Sequence, residues 1–279
     1  MQRAPKCPRA ISGELLPIGA PVRRRYGQRH DTSEPDEIAA VRALTLLLLA
    51  GTGEARDIAQ GLALRGVPFV SWLPQGARMG RDWPAPDHQG PLAECLAKAR
   101  PIAVLDASHP FASDVSETAA EFSAANQIAY CLLRRPEWRA QEGDLWTCVA
   151  SDAEAVQDIA PGTTVLVASG REGLDAYATL SDCRIYCRQI GDPGIACPLP
   201  NGEWLVQQPP FPVEEEVALF SRLGIDWLVL RNAGSARAET KLTAARRLGI
   251  RVAMIARPAP PDAFRVGTVE DALSWACAR

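Results

Sequence analysis

The chain has no apolar run able to cross a bilayer: its longest, Leu44 to Ala50, is far shorter than the roughly 20 residues a membrane helix needs. It has little excess of either charge, with 30 Lys and Arg against 33 Asp and Glu, so no general attraction to nucleic acid or an anionic surface is expected. Histidine is scarce, at positions 30, 88 and 109 alone. The cysteines at 7, 95, 131, 148, 183, 187, 197 and 277 include no Cys-x-x-Cys pair, and no histidine stands beside Cys183 and Cys187 to complete a zinc set. That pattern excludes a metal centre as the working reading. It points to reduced thiols in the cytoplasm rather than a secreted disulfide framework. No Gly-x-Ser-x-Gly elbow is present, so a serine hydrolase finds no support. None of Tyr26, Tyr130, Tyr177 and Tyr186 has a lysine four residues on, which excludes the Tyr-x-x-x-Lys pair of short-chain dehydrogenases.

What is present is an ordinary globular composition, 47% hydrophobic and 23% charged over 279 residues. Residues 1–43 stand apart: prolines at 5, 8, 17, 21 and 35, the basic run Arg23–Arg25 and no sustained periodicity predict a disordered extension. Its acidic residues, among them Glu14, Asp31 and Glu34, argue against a transit peptide. From Leu44 the chain alternates strand and helix. An apolar strand over 44–50 leads through a glycine turn into a helix with Ala55, Ile58, Ala59 and Leu62 on one face. Gly66 ends that helix and "VPFVSW" (67–72) is the next strand. A second unit runs through "IAVLDASHPF" (102–111), a helix showing Val115, Ala119 and Phe122 on one side, and "AYCLLRR" (129–135).

The later half repeats the logic with strands in 163–170, 183–190, 225–235 and 250–258. Pro212 opens a helix whose first turn carries Glu214, Glu215 and Glu216, placed to suit the positive end of its dipole, with Val213, Val217 and Phe220 facing inward. Helices over 239–248 and from Thr268, capped with Asp271 three residues on, complete the series. Strands that alternate with helices form parallel sheets. The expected fold is therefore α/β, with two Rossmann-like domains over 44–158 and 159–279 and a cofactor cleft between them. Ligands of such sheets bind beyond the carboxyl ends of the strands, where the turns 51–54, 106–111 and 231–235 fall.

Three constellations in those turns could carry chemistry. "GTGEAR" (51–56) has two glycines of the dinucleotide pattern but Arg56 in place of the third, so it reads equally as a phosphate seat or a plain turn. No acid follows the second strand in "LPQGARMGR", whereas Arg78 and Arg81 do, which favours a 2′-phosphate and hence NADP. In "DASHPF" (106–111), His109 could bond a nicotinamide, phosphate or carboxylate, donate a proton near neutral pH, or merely cap the next helix. In "RNAGSARAETKL" (231–242), Asn232, Gly234 and Ser235 could wrap a ligand, and Lys241 could neutralise an anion or lie in solvent. Of Arg134 and Arg135 one is expected to face a ligand, while Trp138 reads as packing.

Five ordered segments, "LLLLAGTGEARDIAQGL", "VLDASHPFASDVSETAA", "YCLLRRPEW", "PPFPVEEEVALF" and "IDWLVLRNAGSARAETKLTAARRLGIRVAMIARP", span Leu44 to Pro258, and in them the chain resembles the precorrin-6A reductase family of cobalamin synthesis. The resemblance implies an enzyme in which NADPH reduces a ring double bond of a macrocyclic tetrapyrrole, metal-free or cobalt-loaded. The family's "GGTxEA" falls on Ala50 to Ala55, "DATHPFA" on Asp106 to Ala112, and "TKNSGG" on Leu230 to Ser235, where Asn232 and Gly234 remain. Where the family shows "RxGGFGG", this chain has "RMGRDWPAPDHQGPL" (78–92). Carried over, Gly51, Thr52, Gly53, Glu54, Ser108, His109, Asn232 and Gly234 would hold the cofactor. Arg134, Arg171, Arg231 and Lys241 would meet substrate carboxylates, and His109 or water would supply a proton. A small-molecule tetrapyrrole is then the partner of a monomer that touches neighbouring pathway enzymes only transiently. The alternatives are another NADP-linked dehydrogenase or epimerase, or a non-catalytic NADP- or corrinoid-binding protein with an altered 78–92 loop.

Overall fold

Leu46, Leu47, Leu48 and Leu49 form strand β1 (Leu46–Leu49), and each is 2% exposed or less, so the strand is covered on both faces. One cover is helix α1 (Gly53–Leu64), which buries Ala55, Ile58, Ala59 and Leu62 as their spacing predicts. On the opposite face Leu47 and Leu49 pack with Leu92, Leu96, Val115 and Ala119, from α2 (Leu92–Ala99) and α3 (Ser113–Ala125). Fully burying each such leucine stabilises by roughly 1.5–3 kcal/mol. This strand anchors the first half.

The structure is a computed structural model that describes residues 45–74 and 88–279. The expected extension over 1–43, together with Arg78, Arg81 and most of the 78–92 stretch, lies outside the described residues. Two six-stranded sheets result. The first runs β3 (His88–Gln89), β2 (Phe69–Leu73), β1, β4 (Ala103–Asp106), β5 (Ala129–Leu133) and β12 (Arg265–Val266). The second runs β9 (Gly202–Gln207), β8 (Arg184–Ile190), β7 (Thr164–Val167), β10 (Trp227–Arg231), β11 (Arg251–Ile255) and β6 (Leu145–Val149). Every strand pair in both is parallel. Each sheet is doubly wound, its strand order reversing between β1 and β4 in one and between β7 and β10 in the other.

The sixth strand of each sheet comes from the other half of the chain. β6 follows β5 in sequence but pairs with β11, and β12 follows β11 but pairs with β5. After β12, helix α7 (Val269–Cys277) packs Ala272, Leu273 and Ala276 into the first core, its Thr268 cap accepting from the Asp271 N–H at 3.1 Å as expected. The division into 44–158 and 159–279 therefore does not follow the sheets. The first is built from 45–133 with 265–277, and the second from 145–255. Strand patterning marks which residues pair but not which of two open edges receives them. The short or solvent-facing strands β3, β6, β9 and β12 also lack the apolar periodicity that revealed the rest, whereas α2 carries it in Leu92, Cys95 and Leu96 over only two turns.

In helix α5 (Val213–Leu223) the Glu216 side chain turns inward rather than toward solvent at the helix end. It accepts two hydrogen bonds from Arg188 of β8, at 2.7 and 2.9 Å, with the side chains 1% and 6% exposed. Arg188 also stacks 4.3 Å from the Phe211 ring centroid. Removing one member of such a pair strands the other charge, which costs about 3–5 kcal/mol. Glu216→Ala is expected to lower unfolding stability by about that amount in a urea titration; a change under about 1 kcal/mol, the scale of an exposed ion pair, would show the pair is not a stabilising unit.

Candidate active site

Where strand order reverses in a doubly wound sheet, neighbouring turns part and leave a crevice. Here the crevices of the two sheets face each other and share one cavity of about 500 Å³. Its wall takes Gly51, Thr52, Gly53 and Glu54 from the turn after β1, and His109 from the turn after β4. Opposite stand Ala168, Ser169 and Gly170 after β7, and Arg231, Ala233 and Ser235 at the end of β10 and after it. Arg135 and Trp138 enter from the segment that crosses between the sheets, and Lys241 from helix α6 (Thr240–Leu248). The three turns singled out in the sequence thus converge on one hollow.

Thr52 locks the first turn. Its hydroxyl accepts from the Ala55 N–H at 3.1 Å, capping α1, and donates to the Ala107 carbonyl at 2.8 Å, joining the turns after β1 and β4. Asp106 shapes the second turn from beneath. Fully buried, it accepts from the Ser108 N–H at 2.9 Å, the Ser116 hydroxyl at 2.6 Å and the Tyr130 hydroxyl at 2.8 Å. Burial and the Asp106 charge push the Tyr130 hydroxyl well above its usual range, which keeps it a donor. The second half repeats the device: Asp152, the first residue of the short helix α4 (Asp152–Ala155), accepts from Ser169 at 2.6 Å and Tyr177 at 2.7 Å. Gly173 leaves room for that carboxylate, since a Cβ there would lie 2.1 Å from an Asp152 oxygen.

His109 reaches the cavity as a neutral ring. Burial, then the charges of Arg135, Arg231 and Arg257, push its pKa from 6.5 down to about 4. Its Nδ1 accepts from the Phe111 N–H at 3.3 Å, which leaves the proton on Nε2. In this form the ring can offer a hydrogen bond from Nε2, and the proton-donor role expected near neutral pH would need an imidazolium that burial and the three arginines disfavour. Arg231 pairs with Glu172 at 2.8 Å and lies 5.3 Å from the Phe111 ring centroid. Lys241 is half-buried, and its ammonium makes no hydrogen bond or ion pair among the described residues. Burial, then Arg188, push its pKa down to about 8 against the opposing pull of Glu216.

Several expected residues lie elsewhere. Arg134 donates to the Pro258 carbonyl at 2.9 Å and borders a niche of about 10 Å³, room for about one water, which Ser108 also lines. Its neighbour Arg135 takes the cavity position, bonding the Glu54 carboxylate and donating to the Ala233 carbonyl at 2.5 Å. Adjacent side chains leaving a strand point opposite ways, so only one of the two can face the cleft. Arg171 is exposed, donates to the Pro193 carbonyl at 3.0 Å and sits 5.3 Å from the Trp204 ring centroid, outside the cavity. Arg237, by contrast, stays beside the first turn: its guanidinium lies 3.1 Å from where a Cβ on Gly53 would stand and reaches Asp57 at 3.4 Å.

Asn232 and Gly234 hold the crossing segment rather than face the hollow. The Asn232 amide accepts from the Trp138 N–H at 2.9 Å and donates to the Trp138 carbonyl at 3.1 Å. Gly234 has φ +67°, and a Cβ there would lie 2.0 Å from the Pro136 carbonyl oxygen. Trp138, expected to be packing alone, also forms cavity wall. Arg257 was invisible to sequence reasoning, because nothing separates it from any arginine after a strand. Its side chain, 1% exposed, donates to the carbonyls of Asn232 at 2.6 Å, Arg135 at 2.7 Å and Pro136 at 3.1 Å.

With this geometry in place, comparisons with known proteins are informative. The family model described as Precorrin-6x reductase CbiJ/CobK matches residues 45–277. A precorrin-6A reductase of Rhodococcus erythropolis is 39% identical over 241 residues, covering 82% of this chain and 96% of that protein. One of Rhodobacter capsulatus is 34% identical, covering 82% and 94%. A cobalt-precorrin-6A reductase of Priestia megaterium is 30% identical, covering 56% and 65%. The solved structure of a CobK precorrin-6A reductase superposes with a TM-score of 0.77 at 33% identity, over 84% of this chain and 97% of that one.

Two measurements check the site's construction. The His109 imidazole resonance is expected to stay unchanged from pH 8 to about 5 and to titrate near 4; a midpoint near 6.5 would show an exposed, unperturbed ring. Because folding favours the neutral form, its contribution to stability is complete above pH 6.5 and is lost as the pH falls toward 4. Asn232→Ala leaves the half-buried Trp138 backbone N–H without its acceptor and is expected to cost about 1–3 kcal/mol of stability, read from thermal or urea unfolding.

Proposed function

Since the chain belongs to the precorrin-6x reductase CbiJ/CobK family, we propose that it reduces a ring double bond of precorrin-6A with NADPH in cobalamin biosynthesis, as a cytoplasmic enzyme. The observation that carries this reading is the cavity that the two opposed switch points share. One crevice suits a dinucleotide and the other a second ligand, so a cofactor and its substrate can meet face to face.

The turn over Gly51–Glu54 fits a nicotinamide nucleotide. Gly51 has φ +151°, Gly53 presents no side chain, and Thr52 already caps the helix, leaving backbone N–H groups at the positive end of α1 for a phosphate. Glu54 would repel that phosphate, but its carboxylate is held by Arg135. The His109 Nε2–H is available to a carboxamide or carbonyl oxygen in the same hollow. When bound, the reduced nicotinamide supplies the hydride. A preference for NADPH over NADH follows from Arg78 and Arg81 after β2, with no acid between them and the strand to grip a free ribose hydroxyl.

The macrocycle carries acetate and propionate carboxylates and therefore needs cations at its seat. Arg231 and Lys241 provide them on the second sheet's side of the cavity, in a chain whose net charge is only −3. Trp138 offers the ring an apolar wall. Precorrin-6A is favoured over its cobalt form because the relatives named for the former are 31–39% identical, whereas those named for the latter are 25–30% identical.

The test supplies precorrin-6A with NADPH or NADH and follows nucleotide oxidation. Oxidation of NADPH, with NADH much slower, is expected. Arg231→Gln should raise KM for the macrocycle about 10- to 100-fold, the effect of losing a charged hydrogen bond of about 1.5–3 kcal/mol. Binding of both ligands without oxidation would instead support a carrier.

A further inference from the structure

Hydride addition moves two electrons and one hydrogen nucleus to one carbon of a double bond. The neighbouring carbon then needs a proton, so the reduction is complete only with an acid beside it. The side chains of the cavity that hold exchangeable protons are Thr52, Ser169, Ser235, His109, Arg135, Trp138, Arg231 and Lys241. The Ser235 hydroxyl and the Trp138 indole N–H are far too weakly acidic to protonate a carbon near neutral pH. Thr52 gives its hydroxyl proton to Ala107, and Ser169 gives its own to Asp152. The neutral His109 has only its Nε2–H, which an imidazole does not release in this range. Guanidinium protons do not leave in proteins, and both arginines are already held, Arg135 by Glu54 and Arg231 by Glu172.

Lys241 differs from all of these. It stands on the first turn of α6, at the second sheet's side of the cavity, with an ammonium that has no partner among the described residues. The nearby carboxylate that could have captured it, Glu216, is engaged by Arg188 through both oxygens. That buried pair holds Glu216 away from the ammonium while Arg188 adds positive charge behind it. The lysine thus lines the hollow with a charge that no side chain among the described residues has claimed.

Resting on the reductase reading above, we propose that Lys241 is the catalytic acid: its ammonium protonates the carbon next to the one that takes the hydride, and solvent restores the proton to the resulting amine. Burial and Arg188 have already brought this ammonium to about 8, against Glu216, close to the pH at which an acid works best. Arg188 and Glu216 are the charges that act on it, while Glu54, His109, Arg135 and Arg231 share the cavity wall with it. Carboxylates of an arriving macrocycle would raise the value further and keep the proton in place until hydride transfer.

Arginine keeps the charge at 241 but does not release a proton, so K241R separates an acid from a simple cation. With wild-type reduction of precorrin-6A established, kcat of both K241R and K241Q is expected to fall about 10²- to 10⁴-fold, the usual effect of a general acid. KM for the macrocycle should stay within about threefold in K241R, and the wild-type fall of kcat/KM above about pH 8 should vanish in both variants. K241R with near-normal kcat and KM would overturn the proposal while leaving the reductase reading intact. Inactivity of the wild type would instead remove that reading. A ligand-free measurement is independent of turnover: acylation of Lys241, followed by peptide mass spectrometry, should show a midpoint near pH 8. A midpoint at the ordinary 10.5 would also overturn the assignment.

Discussion

Two stretches of chain cross between the sheets, 134–144 and 256–264, and arginines lace them to each other's backbone. Arg134 in the first donates to Pro258 in the second, and Arg257 in the second donates to Arg135 and Pro136 in the first. Asn232, at the end of β10, grips Trp138 through both halves of its amide. An unpaired guanidinium at 1% exposure would be untenable; Arg257 is tolerated there because carbonyl oxygens surround it and Glu137 lies 3.9 Å away. Even so, burial holds its pKa down to about 10. The opposition of the two crevices, and with it the shape of the cavity, depends on this lacing.

Charge in the cleft is graded by what each group is already bonded to. Arg135 neutralises Glu54 at the mouth of the glycine turn, so a phosphate meets helix N–H groups rather than a bare carboxylate. Arg231 is restrained by Glu172 and Phe111 yet remains on the wall. Lys241 carries the least-encumbered positive charge, and the buried Arg188–Glu216 pair next to it explains why. Low local dielectric makes each of these charges count for more than at an open surface. A reductase whose cofactor brings the hydride needs little more from its protein than orientation, a matched field and one proton.

Much of the site was legible because turns at the carboxyl ends of parallel strands are where such folds bind ligands. Gly51–Glu54, His109, Arg231 and Lys241 all reach the cavity from positions picked by that rule. The expected residues that lie outside the cavity share a cause. Asn232 and Gly234 have the composition of a ligand turn, but their distinctive features serve Trp138 and Pro136. Arg134 and Arg171 lie at strand ends yet turn to the Pro258 and Pro193 carbonyls. Residue type and position identified a cation near a turn; which carbonyl it would find depended on chain brought in from elsewhere.

The alternation of buried strands and amphipathic helices, and so the α/β class with parallel sheets, was determined by the sequence alone, since burial on both faces demands an apolar run and a crossover helix demands its periodic stripe. The exchange of β6 and β12 was decided only in three dimensions, because either open edge offers the same backbone groups to an incoming strand. So were the neutral state of His109 and the ammonium of Lys241, unpartnered among the described residues. Both are products of burial and of charges distant in sequence, quantities that exist only after the two crevices have been set against each other.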